Sequence, residues 1–234
     1  MRVRMQINEN NQSMYCYEGT SVLINKKDIK DREVLEEVEK LVVTYKLAQI
    51  INNESYFKRD LSMNHYLSIH RYLFEDIYPF AGELRKEFTN KKNNAEGLDE
   101  EGTRIYCNPD FIHVCLQEQL SKMKKEAVKI YSKDNLIDFL TRNYLELYYI
   151  HPFREGNSRT LREFLREYVE IMNKLILTFG DFELKYSELD PEDNIKFIKS
   201  VIWNTSKDVN KQEQSYFILR EVFSKCLIEK QKTR

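Results

Sequence analysis

From Asp31 to Asn52, apolar residues fall at Leu35, Val38, Leu41, Val42, Tyr45 and Ala48. This is the three-and-four spacing of one face of an amphipathic helix. Asp31 is placed to cap that helix, and Asn52-Asn53 end it. A second helix runs from about Leu61 to Ile77 and stops ahead of Pro79, because a residue preceding proline avoids the helical region. From about Asp110 the helical period returns at Ile112, Cys115, Leu116, Leu120 and Met123. Asp134 or Asn135 caps the next helix, which carries Leu136, Phe139, Leu140, Tyr144 and Leu147 on one face and ends at Pro152. Leu161, Phe164, Leu165, Tyr168 and Met172 mark another. Asp190-Pro191 is a cap-then-proline start for a helix reaching about Trp203, and Leu219, Val222, Phe223, Cys226 and Leu227 lie on a final charged helix.

Two stretches break this rhythm. Residues 1–12 are polar and Asn-rich and read as an extended or frayed start. Residues 86–105 contain Thr89-Asn90-Lys91-Lys92-Asn93-Asn94, then Gly97 and Gly102, with no helical period, and read as a hairpin or long flap. The sum is an all-α bundle with a small β-hairpin flap.

Composition narrows the function. The chain has 234 residues, within the size of one domain carrying peripheral helices. Its 37 basic residues balance 38 acidic ones, which removes the electrostatic case for a general nucleic-acid or membrane binder. Cys16, Cys107, Cys115 and Cys226 are scattered without zinc spacing and read as reduced, mostly packed thiols. The N-terminus lacks the apolar core of a signal peptide, and no apolar run approaches the ~20 residues that span a bilayer. The expectation is a cytoplasmic protein.

The chemistry concentrates in His151-Pro152-Phe153-Arg154-Glu155-Gly156-Asn157-Ser158-Arg159-Thr160-Leu161-Arg162, between two apolar helices. A loop entering a helix N-terminus presents free N–H groups and the positive end of the helix dipole to an anion. Arg159 and Arg162, one turn apart, can grip neighbouring phosphate oxygens. Glu155 is a hard oxygen ligand suited to Mg²⁺ shared with phosphates, and His151 is a base suited to neutral pH. Gly156 permits positive φ, Asn157 has an amide to donate, and Ser158 can cap the following helix or face phosphate. Each residue also has a plainer reading: a surface histidine at a helix end, a solvated carboxylate, a Gly-Asn turn, arginines on an amphipathic face. Phe153 reads as a core anchor. His65, His70 and His113 have no ligand partners in the sequence; His70 reads as packed or capping, His65 and His113 as surface.

This run resembles the Fic (filamentation induced by cAMP) signature, His-x-Phe-x-Asp/Glu-Gly-Asn-Gly-Arg-x-x-Arg, with Ser158 where the family usually has glycine. The run from His70 to Arg85, with its Ala81-Gly82-x-x-Arg85 turn, and the segments Tyr17–Asn25 and Arg104–Pro109 are similar to other parts of that family. The resemblance implies a Fic-type bundle at 1–185, with an N-terminal lead-in segment, and a C-terminal helical extension at 186–234 packed on it. It implies a protein adenylyltransferase that moves AMP from ATP to a Tyr, Ser or Thr hydroxyl of a target protein. His151 is then the general base, Glu155 the Mg²⁺ ligand, Gly156, Asn157 and Ser158 the anion hole, and Arg159 and Arg162 the β- and γ-phosphate clamps. Lys91, Lys92 and Asn93 fall in the family's target-docking flap. Relatives use UMP or phosphocholine, or act as kinases with lysine at the acidic position, which Glu155 disfavours; a catalytically weakened nucleotide-binding domain is the other alternative. Fic proteins are often restrained by a Ser/Thr-x-x-x-Glu helix, and no Ser or Thr here has Glu four residues later. The resemblance therefore places the chain with members held in check by a small antitoxin supplying that glutamate in trans.

Overall fold

The computed structural model describes residues 13–52, 56–88, 106–206 and 208–230. Among them run seven α-helices: α1 (Arg32–Asn52), α2 (Met63–Phe74), α3 (Ile112–Ala127), α4 (Lys133–Ile150), α5 (Asn157–Leu175), α6 (Pro191–Asn204) and α7 (Val209–Cys226). Two short strands, β1 (Phe182–Leu184) and β2 (Leu227–Glu229), pair antiparallel with Phe182 opposite Glu229. The fold is mostly helical, as the periodicity requires. The β-structure among the described residues is this pair and an isolated bridge between Cys16 and Leu23; the expected flap, with Lys91, Lys92 and Asn93, lies outside the described residues. Three-residue strands separated by more than forty positions leave no alternation for a sequence reading to catch.

Local chemistry sets most helix starts. The Asp31 carboxylate accepts the N–H groups of Glu33 and Val34, and Asp190 accepts that of Asp193 beside Pro191. Helix α4 is capped by Ser132, which accepts the Asn135 N–H, and not by Asp134 or Asn135. Helix α2 ends at Phe74, three residues short of Ile77, as the chain turns toward Pro79.

Helix α1 departs from the expected face. Its buried residues are Leu35, Glu39, Val43, Lys46 and Ile50, while Leu41 and Tyr45 face outward. Two charges sit on the inner stripe because other elements neutralise them. Lys46 pairs with Glu75 and Asp76 at the end of α2, and Glu39 pairs with Arg159 on α5. A stripe chosen by hydrophobicity alone rotates away from such positions.

The core sits between α2, α4 and α5. Phe153, fully buried, stacks on His70 at 3.7 Å, and Tyr66 meets Phe164 edge-on at 4.9 Å. His65 is buried as well, not on the surface: its Nε2 lies against Glu167, whose carboxylate also takes Arg59, and its Nδ1 accepts the Leu61 N–H. Helices α6 and α7 pack together and onto α4. Tyr144 of α4 meets Phe197 of α6 at 5.0 Å and Phe223 of α7 at 5.8 Å. The four cysteines are free thiols, and no described helix is long and apolar enough to cross a membrane.

Candidate active site

Helix α4 stops at His151, which caps it in the left-handed conformation at φ 46°. Its N–H still bonds the Leu147 carbonyl, so the residue closes the helix where the following loop begins. The imidazole is 2% exposed, stacked on Tyr106 at 3.9 Å and edge-on to Tyr148 at 5.4 Å. The five residues after it bring the chain to α5.

That loop is fastened from three sides. Arg85, itself buried, donates its Nε–H to the His151 carbonyl at 2.7 Å and its backbone N–H to the Pro152 carbonyl at 2.8 Å. Its remaining donors hold the carbonyls of Glu87 and Cys107. His70 holds the other end: Nδ1 accepts the Gly82 N–H at 2.8 Å, so Nε2 carries the proton that goes to the Glu155 carbonyl at 3.0 Å. Burial pushes the His70 imidazole down to about 3, so it stays neutral in this role. Inside the loop, the Asn157 amide bridges back to Phe153, accepting its N–H at 2.9 Å and donating to its carbonyl at 2.8 Å. The Asn157 side-chain oxygen and one of its two amide N–H groups thus close the loop, and the anion contact expected of this residue has the second N–H to use. The backbone N–H of Asn157, at the start of α5, is also left to an anion cradle.

Gly156 precedes α5 at φ 77°, and no side chain caps the helix. A Cβ there would lie 2.3 Å from the Phe74 ring. Both the backbone region and the space exclude a side chain. Gly156→Ala is therefore expected to cost about 2–4 kcal/mol, summing left-handed strain and overpacking against a buried ring. A drop in the denaturant midpoint with an unchanged slope checks it. Ser158 adopts no positive φ. A serine in right-handed helix carries no backbone penalty, so strain at this position is not a reason for weak activity.

The two arginines differ. Arg159 donates to Glu39 at 2.6 Å, lies 3.6 Å from Glu155 and covers the Phe74 ring at 4.8 Å. The other Glu39 oxygen takes a short hydrogen bond from the Tyr78 hydroxyl. Arg162 has no carboxylate partner among the described residues. Its guanidinium lies over Phe197 at 4.2 Å and Tyr186 at 5.3 Å. Glu155 is half-buried; one oxygen accepts the Gly156 N–H at 3.0 Å. A lone carboxylate beside an anion cradle fits Mg²⁺ held jointly with phosphates, not a cage built by protein alone; among the described residues no cluster of three or more His, Cys, Asp or Glu could form such a cage.

Residues 60–169 match the Fic/DOC family model. This stretch of the chain is a Fic/DOC domain. It is 29% identical over 198 residues to a probable protein adenylyltransferase of Sinorhizobium fredii, covering 83% of this chain and 88% of the relative. The N-terminal Fic domain of a VirB-translocated effector from Bartonella sp. AR 15-3 superposes with a TM-score of 0.74 at 19% identity, over 94% of this chain and 95% of that one. The BepC protein of Bartonella tribocorum, solved with bound AMPPNP, gives 0.71 at 18%, over 93% and 97%. At such identities these two structures speak for the fold.

Within this Fic domain the structure adds residues that the motif did not point to. Arg85 and Gly82, quoted earlier only for their likeness, brace the loop through its carbonyls and through His70. Glu39 was missed because it lies far upstream; its one signal was a carboxylate in step with Leu35, Val43, Lys46 and Ile50.

Proposed function

We propose that the protein is a protein adenylyltransferase, transferring AMP from ATP to a hydroxyl of a target protein. The observation that carries this reading is the fastened loop joining His151 to the uncapped start of α5, with Glu155, Arg159 and Arg162 beside it. The name of the Sinorhizobium relative and the AMPPNP in the Bartonella structure support the same chemistry.

In this scheme the triphosphate lies along the N-terminus of α5. The N–H groups of Asn157 and Ser158 bind phosphate oxygens, and the guanidinium groups of Arg159 and Arg162 orient the terminal phosphates. Glu155 would hold Mg²⁺, which when bound offsets charge on the phosphates. His151 takes the proton of the target hydroxyl on a ring nitrogen. The hydroxyl oxygen bonds to the α-phosphorus, the bond from that phosphorus to the bridging oxygen breaks, and pyrophosphate leaves with the electron pair. Positioning and fixed charge supply the rate, with no covalent enzyme intermediate. Because the His151 ring is 2% exposed, a target reaches it only by displacing a neighbour. The test is incubation with α-labelled ATP, Mg²⁺ and a lysate: label should enter a protein band with wild type and not with His151→Ala. Binding of AMPPNP with no band in any lysate would leave a nucleotide-binding domain without transfer.

One observation favours restraint in the resting protein: Glu39 already holds Arg159. Phosphate has to displace that carboxylate, so Glu39→Gln is expected to tighten AMPPNP binding about three- to tenfold, the scale of one charge-assisted hydrogen bond. Titration calorimetry at fixed salt reads it; an unchanged or weaker affinity counts against competition. Arg162, which no described carboxylate holds, is the place for an antitoxin glutamate acting in trans. Copurification of a small helical protein from the native host, lost in Arg162→Ala, tests that partner.

A further inference from the structure

We propose that the segment after the motif builds an aromatic seat for Arg162, with Phe197 as its positioning residue, and that this seat sets the affinity of the site for the terminal phosphates of the nucleotide. The inference rests on the reading above, in which Arg162 grips phosphate. Phe197, on α6, is buried, and its ring lies 4.2 Å from the Arg162 guanidinium; Tyr186, in the turn before α6, adds a second ring at 5.3 Å. The Arg162 Nε is buried without a hydrogen-bond partner among the described residues. A guanidinium drawn from water without a carboxylate needs compensation, and ring faces supply it.

The geometry of stacking matters. Rings take the flat faces of the guanidinium and leave its in-plane N–H donors for acceptors at the edge, the direction a bidentate phosphate contact uses. The side chain is thereby held in one orientation before nucleotide arrives, and less freedom is lost on binding. Phe197 is itself held edge-on by Tyr144, on the helix that delivers His151, and by Phe223 of α7 at 6.2 Å. The C-terminal helices are in this way wired to the phosphate grip through side chains, while the base and the loop are fixed by other residues.

Phe197→Leu keeps apolar volume and removes the π face; Phe197→Tyr keeps the face. The probes are AMPPNP and AMP with Mg²⁺, with dissociation constants read by calorimetry, and KM and kcat from label transfer. The expected result is an AMPPNP constant raised about three- to tenfold in Phe197→Leu, an AMP constant unchanged, and recovery in Phe197→Tyr. KM for ATP follows the AMPPNP constant while kcat holds. In an Arg162→Ala background, Phe197→Leu adds nothing further, the signature of one shared interaction. Equal weakening of AMP and AMPPNP, or no change in either, overturns the proposal and leaves Phe197 a packing residue. Wild type that binds AMPPNP but labels no protein defeats the proposed function alone, and the two constants still decide the seat. Wild type that binds neither nucleotide defeats both.

Discussion

Replacement of His151 by alanine should lower AMP transfer by a thousandfold or more, on the order of the 10²–10⁴ contributed by a positioned general base plus the loss of its alignment. No other histidine can take over. His70 is locked between the Gly82 N–H and the Glu155 carbonyl and is pushed down to about 3 by burial. His65 is engaged with Glu167 on the far end of α2, and His113 is exposed on α3. The imidazole is not part of the phosphate cradle, so AMPPNP should bind the variant within about twofold of wild type, since only an interaction made with the target hydroxyl has been removed. Initial rates with α-labelled ATP, beside calorimetric binding of AMPPNP, separate the two effects. Transfer that persists above a tenth of wild type would remove His151 from the reaction and transfer the role to a residue of the target or to water.

Legibility followed the range of the interaction. Asp31 and Asp190 were readable as caps because the partner N–H lies two or three residues away. The start of α4 went to Ser132 instead of Asp134 or Asn135 for a reason equally local: all three are competent caps, and composition alone does not rank them. His151, Glu155, Gly156, Arg159 and Arg162 were legible as a set because loop and helix start are contiguous in sequence. What each does with its atoms was not. Asn157 closes the loop on Phe153, and Arg159 is held by a carboxylate 120 positions away on α1. His65 looked like a surface histidine because its partner Glu167 is 102 residues downstream. The inner face of α1 was misplaced because Glu39 and Lys46 are buried by virtue of partners on α5 and at the end of α2. Buried charge is unpredictable from its own segment; the compensating charge belongs to another one.

The difference between the two motif arginines leads to the other large effect. Arg162→Ala should reduce kcat/KM for ATP about a hundredfold, chiefly through KM, the scale of deleting a charge-assisted, bidentate contact with phosphate. Arg159→Ala should cost less. Removing Arg159 also frees Glu39 from a pair that nucleotide would otherwise have to open, so part of the lost phosphate contact is offset; the freed carboxylate keeps its hydrogen bond from Tyr78. Arg162 has no such compensation, because its resting partners are ring faces and the neighbouring Tyr144 hydroxyl, with no described carboxylate for nucleotide to displace. The prediction is sharpest in combination. In a Glu39→Gln background Arg159 has lost its charged competitor, and Arg159→Ala should become the more damaging of its two contexts, approaching the Arg162 value, whereas Arg162→Ala should cost the same with or without Glu39. Steady-state rates for the three single and two double variants give that comparison directly. Equal losses for Arg159→Ala in both backgrounds would mean that Glu39 does not compete for the phosphate grip, and that its contact with α5 serves only to hold α1 in place.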